Sequence, residues 1–402
     1  MRVLFTVLPG TGSLRPLLPV ANALRAGGHD VAVSSSPALR SAAEQERLPF
    51  FAAGLDWDTS DPHYIEVLCE AAGGLAFPPL TGMPRLVWVT NELFIGTAAR
   101  RMLPDVIRIA REWSADLIVR QSLEYSGCTA AERLGLPHAS VADAAHSALD
   151  RRHEVVAALN GLRSSVGLPP DPAGEMVFRY LHLCFAPPRF DGDGALFPAT
   201  AHFLRHIDPT PTAESLPSWL DALEARPTVL VSMGTVFHRT TGIYEAVLEG
   251  LRDEPVNLLV AAGFDQDPGR FGPQPPHVRV EPYLPVTALL PRCDLFVTHG
   301  GFNSVKESLA AGVPMVVIPI SADQPYSAER CAALGVGLAL GPEERTASDV
   351  RRAARTVLAD GGFTRRAREM QRDMSALPGP EHAVALLEAL HRNPVPRPLL
   401  AR

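Results

Sequence analysis

The amino-acid sequence predicts an α/β protein made of two doubly wound, Rossmann-like domains that face each other across a central cleft. Three observations lead there. The chain has 402 residues, enough for two domains of ordinary size. Each half opens in the same order: a short apolar run, a glycine turn, an amphipathic helix and a second apolar run. A proline-rich stretch, "DPTPTAESLPSWLDALEARP" at 208–227, separates the halves. A helix between two strands returns the chain to its starting edge, so the strands run parallel. Ligands of such sheets bind beyond the carboxyl ends of the strands.

The elements follow in chain order. "VLFTVL" (3–8) has the length and apolarity of a buried strand. Gly10 and Gly12 then allow a tight turn, and Pro16 is expected to start a helix that carries Leu17, Leu18, Ala21 and Leu24 on one face. "GGHD" ends that helix and "VAVSS" is the next strand. Further on, "DLIV" (116–119) precedes the helical "SGCTAAERLG", and "PHASVA" is a strand again. The first domain is placed at 1–207 and the connection at 208–225. The second domain, 226–378, repeats the theme with "TVLVSMGT", a helix over 243–252, and "VNLLVAAG". "PEHAVALLEALHR" is a helix within the C-terminal tail, 379–402. Apolar residues within Phe77–Leu93 suit either an apolar ligand pocket or the core.

Composition narrows the function. Apolar residues make up 46% and charged residues 20%, the balance of a soluble globular protein. The net charge is −7, and the arginines are scattered rather than clustered, which excludes a nucleic-acid groove. Five cysteines lie far apart, without metal or redox spacing, so reduced thiols in a cytoplasmic protein are expected. The first residues lack the apolar core and cleavage site of a signal peptide, and no apolar run reaches the ~20 residues of a membrane span.

The most informative segment is "DLFVTHGGFNSVKESLAAGVPMVVIPISADQ", 294–324. "LFVT" is a strand with His299 at its carboxyl end. Gly300 and Gly301 let backbone approach a ligand, and "FNSVKESLAA" is a helix stopped by Gly312. The free N–H groups and dipole at that helix start suit a diphosphate. Asn303, Ser304 and His299 add side-chain donors. Glu307 can accept from a vicinal diol such as ribose, and Asp323 with Gln324 suits a polyhydroxyl ligand. Each part alone has an ordinary reading as a turn, a cap or loop polarity. Together, in order over about thirty residues, they point to a site.

This segment closely resembles the donor-site signature of family 1 glycosyltransferases, enzymes of the GT-B fold. "EPYLPVTALLPRCD", "VLVSMGT", "GTGSLRPLLPVANALRAGGHDVAV" and "EYSGCTAAERLGLP" resemble other segments of the family, the last from bacterial natural-product members. The resemblance implies inverting, metal-independent transfer of a sugar from a nucleotide diphosphate, which is a co-substrate, with no cofactor. It places His299 on the diphosphate with Gly300, Gly301, Asn303 and Ser304, and Glu307 on the ribose. Asp323, also counted among the catalytic candidates, and Gln324 fall on the sugar hydroxyls. Tyr283, beside Leu284, stacks on the base, and Ser232, Gly234 and Thr235 approach the phosphates. The implied partners are a UDP-hexose or dTDP-deoxysugar and a small, mostly apolar secondary metabolite. The chain is expected to be a monomer or homodimer. "DGD" at 191–193 imitates a metal-binding motif but lies in a Gly/Pro-rich loop.

One expected group is missing. The family carries a histidine base in the turn where this chain has Gly12 and Ser13, and an orienting carboxylate where it has Gln121. Neutral serine is too weak a base to replace imidazole. Three readings stay open. Another residue can serve, from Asp61, His63, Glu66, Glu124, Asp143 or His146. The acceptor can be reactive enough to need little help. Or the chain is an auxiliary nucleotide-sugar-binding partner; an epimerase shares the two-domain plan.

Overall fold

β1 (Arg2–Thr6) sets the pattern of the first sheet. Successive side chains of a strand point to opposite faces. Val3 and Phe5 enter one core cluster with Val20, Leu24 and Leu387, and Leu4 enters another with Val106, Ile109 and Leu159. With both faces covered, the strand reads as an unbroken apolar run. β2 (Asp30–Ser35), β3 (Phe50–Ala52), β4 (Leu117–Gln121), β5 (His138–Val141), β6 (His182–Cys184) and β7 (Ala201–Phe203) complete it. Their order is β3-β2-β1-β4-β5-β6-β7, parallel throughout.

The second sheet repeats the scheme. β8 (Thr228–Ser232), β9 (Asn257–Ala261), β10 (Val278–Glu281), β11 (Leu295–Thr298), β12 (Met315–Val317) and β13 (Gly337–Ala339) take the order β10-β9-β8-β11-β12-β13, again parallel. Val229, Val231, Leu258, Val260, Leu295 and Val297 pack on Val247 and Leu251 of the helix Ile243–Leu251. In each sheet the winding reverses once, between β1 and β4 and between β8 and β11. Loops after such a pair of strands open side by side, and ligands bind there.

The chain is a computed structural model that describes residues 1–80, 82–142, 144–145, 152–192, 195–206, 216–236 and 239–397. It divides into two units, Met1–Arg205 with Pro378–Arg402, and His206–Leu377. Residues 208–215 of the proposed connection lie outside the described residues, and 218–222 form a 3-10 turn. The helix Pro380–Arg392 belongs to the first unit: Ala383, Leu387 and Leu390 enter its core, and Arg205 N–H donates to the Pro378 carbonyl at 2.7 Å. No helix among the described residues is long and apolar enough to cross a membrane.

Two local features differ from the sequence reading. Pro16 does not begin the first helix. A short α turn, Thr11–Leu14, comes first, Pro16 sits in a 3-10 turn, Arg15–Leu17, and the longer helix is Leu18–Ala26. Pro16 lacks an N–H, and at the start of the 3-10 turn none is needed. Secondly, 89–99 is wound as a π-helix, with the Thr97 hydroxyl bonded to the Glu92 carbonyl five residues back at 2.8 Å. Wider turns of this kind concentrate at functional sites. Val89 and Leu93 pack with Leu8, Trp57 and Leu68, so that part of the Phe77–Leu93 segment is core.

Candidate active site

The second unit brings most of the donor candidates to its winding reversal. β8 delivers Ser232, Gly234 and Thr235, and β11 delivers His299, Gly300 and Gly301. The His299 ring lies between the two loops. A Cβ on Gly234 would stand 2.6 Å from its Cε1 and 2.7 Å from its Nε2, and a Cβ on Gly301 would stand 2.9 Å from its Cε1. Ordinary contact is 3.4–4 Å, so neither position admits a side chain while His299 keeps its pose. Gly234 also needs its glycine for backbone reasons, at φ 72. His299 is 7% exposed. Burial pushes its pKa from 6.5 to about 4, against the opposing effect of a hydrogen bond to the Ser232 backbone. It is therefore a neutral imidazole at physiological pH, able to donate without carrying charge.

Gly301 is the N-cap of the helix Phe302–Ala311, and no side chain caps that end. The first backbone N–H groups of a helix have no partner within it, and the dipole makes their surroundings positive. Asn303 and Ser304 follow in the first turn, half-buried, and Glu307 is buried one turn on. The end of β12 leads to Asp323, the N-cap of the helix Gln324–Ala333. Ala322 before it holds φ 56, a left-handed conformation that non-glycine residues avoid. The Oε1 of Gln324 accepts from the N–H groups of Ile320 and Ser321 at 2.7 and 2.9 Å, so its NH2 is the part left to meet a ligand. After β10, Leu284 is buried and Tyr283 is 60% exposed.

The opening turn of the first unit is held from outside. The Pro9 carbonyl accepts from both the N–H and the hydroxyl of Thr59, at 3.0 and 2.6 Å. Gly10, at φ 144, lies so close to Thr59 that a Cβ would overlap its hydroxyl. Ser13 is half-buried in the short helical turn, with its N–H on the Gly10 carbonyl at 3.1 Å; Gly12 precedes it.

Glu124 is committed to structure. Its carboxylate accepts from the Thr6 hydroxyl at 2.5 Å, from the Ser126 N–H at 2.5 Å, from the Ser126 hydroxyl, and from the Gly127 N–H at 2.9 Å. It thereby caps the helix Ser126–Leu134 and ties it to β1. Four donors from the fold itself therefore occupy both oxygens of this carboxylate. Gln121, the last residue of β4, is 1% exposed. Arg120 shapes the loop between them. Fully buried, it donates to the carbonyls of Gln121, Ser122, Glu124 and Val177 at 3.2, 2.6, 3.0 and 2.7 Å. A small recess beneath the opening turn is lined by Leu8, Trp57, Ala98, Ala99, Met102 and Glu124, among others.

Other candidates are set apart. His63 Nδ1 meets Glu66 at 2.5 Å, and the Asp61 carboxylate accepts the His63 N–H at 2.8 Å; His63 and Glu66 are exposed. Asp143, His146 and Asp193 lie outside the described residues, and Asp191 follows a 3-10 turn, Pro188–Phe190. Sequence reasoning passed over Thr59, Arg120 and Ala322. Arg120 left a signal, a lone charge closing an apolar strand, but Thr59 and Ala322 left none.

Comparison with known proteins gives the family. Residues 22–152 match the N-terminal domain, and residues 258–390 the C-terminal domain, of the Erythromycin biosynthesis protein CIII-like family. The chain is 28% identical to 4'-demethylrebeccamycin synthase of Lentzea aerocolonigenes, over 97% of this chain and 99% of that one. It is 28% identical to aclacinomycin-T 2-deoxy-L-fucose transferase of Streptomyces galilaeus, over 97% and 96%. Its fold is shared with the glycosyltransferase VinC, solved in complex with dTDP, at a TM-score of 0.77 and 23% identity over 98% and 100% of the two chains. Two parallel sheets, a glycine-framed histidine at a helix start and the matched family models converge: the chain is a GT-B enzyme of the Erythromycin biosynthesis protein CIII-like group, within the family 1 natural-product glycosyltransferases.

Proposed function

We propose that this glycosyltransferase moves a sugar from a pyrimidine nucleoside diphosphate to a small, largely apolar secondary metabolite, with inversion and without a metal ion. The observation that carries this reading is the neutral His299 ring held between Gly234 and Gly301 at the start of the helix Phe302–Ala311. An atom of the acceptor attacks the anomeric carbon from the face opposite the diphosphate. The carbon–oxygen bond to the diphosphate breaks, and its electron pair stays on the departing oxygen. The helix N–H groups and His299 stabilise the charge that develops there, the role a divalent ion fills elsewhere. Glu307 accepts from the ribose, and Asp323 with the Gln324 amide reads the sugar hydroxyls. The proton of the acceptor leaves to solvent or to the acceptor's own basic group. Ser13 positions the acceptor, and Gly12 lets it approach.

The relatives favour a deoxysugar donor. One is named as a 2-deoxy-L-fucose transferase, and the VinC structure holds dTDP. A panel of UDP-hexoses and dTDP-deoxysugars, with nucleotide release followed with and without aromatic and polyketide aglycones in the presence of a chelator, tests the proposal. Aglycone-dependent release of dTDP or UDP in chelator is expected. Turnover that needs added magnesium or manganese overturns the metal-free step. In the same assay Ser13→Ala is expected to lose only a few-fold. A loss of about 10²–10⁴-fold with unchanged affinities would make Ser13 part of proton transfer.

A further inference from the structure

The stacked pair Phe264 and Tyr283 is the feature of the second unit that its core does not use. Their ring centroids are 5.4 Å apart and their planes differ by 13°. Phe264 is 69% exposed and Tyr283 60%, and among the described residues of this unit they are the two large apolar side chains left in water. Burying a ring of this size is favourable, so a pair that forgoes most of that gain has a reason outside the core. Both residues follow the carboxyl ends of adjacent parallel strands, β9 and β10. The register pairs Ala261 with Glu281. It runs on past the strands through Ala262 N–H to the Glu281 carbonyl at 2.8 Å and Gly263 N–H to the Pro282 carbonyl at 3.1 Å. The next residues on each side are Phe264 and Tyr283. Backbone pairing therefore sets the height of the two rings.

Building on the nucleotide reading above, we propose that Phe264 is a positioning residue for the donor's pyrimidine base: it covers one face of Tyr283 and holds that ring flat, so that the base stacks on the other face. An exposed tyrosine alone is free to rotate and loses that freedom on binding. A ring already stacked on one side has lost it beforehand, which leaves more of the stacking energy for the ligand. Bases of either pyrimidine type fit, because stacking uses the π-face that all bases share.

The test is calorimetry of dTDP and UDP, with inorganic diphosphate as the ligand that has no base. Phe264→Ala is expected to weaken both nucleotides about two- to tenfold, with diphosphate affinity and the thermal midpoint unchanged. Phe264→Tyr keeps the plate and restores binding. On a Tyr283→Ala background, Phe264→Ala adds no further loss, because its partner is gone. The proposal falls if Phe264→Ala leaves nucleotide affinity unchanged, weakens diphosphate equally, or adds its full effect to Tyr283→Ala. It also falls if Phe264→Ala removes self-association of the protein and nothing else, since the pair then belongs to an interface between copies. Failure of the wild-type protein to bind either nucleotide or diphosphate is a different result, and it overturns the nucleotide reading itself.

Discussion

Gly301→Ala isolates the placement of His299 from every other property of the donor loop. The backbone at Gly301 has φ −57 and ψ 137, which any residue adopts, so the substitution carries no conformational penalty of its own. What it carries is one methyl group 2.9 Å from His299 Cε1 and closer still to Nε2. Carbon contacts settle at ~3.5–4.0 Å, so the ring must retreat by about 1 Å. On the other side it meets the Gly234 backbone, and it loses the alignment of its bond to Ser232. Overpacking of this kind costs about 1–3 kcal/mol of stability, a drop of several degrees in the unfolding of the unit. The displaced ring no longer meets the diphosphate. A lost bond to a charged group is worth ~1.5–3 kcal/mol, which corresponds to about ten- to a hundredfold in affinity for dTDP or UDP. Calorimetry on the folded variant reads the affinity, and thermal melts read the strain. The control is the same change on a His299→Ala background, where the three ring atoms nearest the methyl group are gone. There it should cost nothing in stability and nothing further in affinity. A folded Gly301→Ala protein with unaltered nucleotide affinity would refute the assignment of His299 to the diphosphate.

Two further predictions follow from burial. Glu124→Gln removes a charge that four donors share, and should cost ~2–3 kcal/mol of stability in chemical denaturation; unchanged stability with turnover lowered a hundredfold or more would instead make Glu124 catalytic. His299 titrates near 4 folded and near 6.5 unfolded, so between those values the unfolded chain binds more protons and stability falls as pH is lowered through the window. The His299 share of that loss is about 2 kcal/mol from pH 7 to pH 5, and His299→Gln should remove it, while His138 and His202, shifted the same way by burial, remain in both proteins; identical pH slopes in the two proteins would contradict it.

Much of this protein was legible because it is written in local chemistry. A strand buried on both faces has to be continuously apolar, so "LFVT" and "VLFTVL" announce β11 and β1 without neighbours. Two glycines between an apolar run and a helical pattern mark a turn, so "HGGFNS" announces the end of β11 and the start of its helix. The absence of a histidine at Ser13 was equally plain, since it takes one residue to read. What depends on distant parts of the chain was not legible. Glu124 looked like a candidate base from its place after β4. Only the fold shows that Thr6, 118 residues away, and the start of the helix Ser126–Leu134 fill its oxygens. The closing helix could be drawn from its periodicity, but which unit it joins depends on the cores that Leu387 and Leu390 meet. The glycines at 234 and 301 looked like turn residues. The structure gives them a second reason, a histidine ring between them, and that reason exists only when β8 and β11 lie side by side. Sequence alone determined the strongly patterned elements and the candidate residues at their ends, because propensity, periodicity and capping act within a few residues, while short strands such as β3, β6 and β7 carry too little pattern to read. Tertiary structure decided which of those ends share a site and which charges are already spent, because parallel pairing joins segments that no local rule connects.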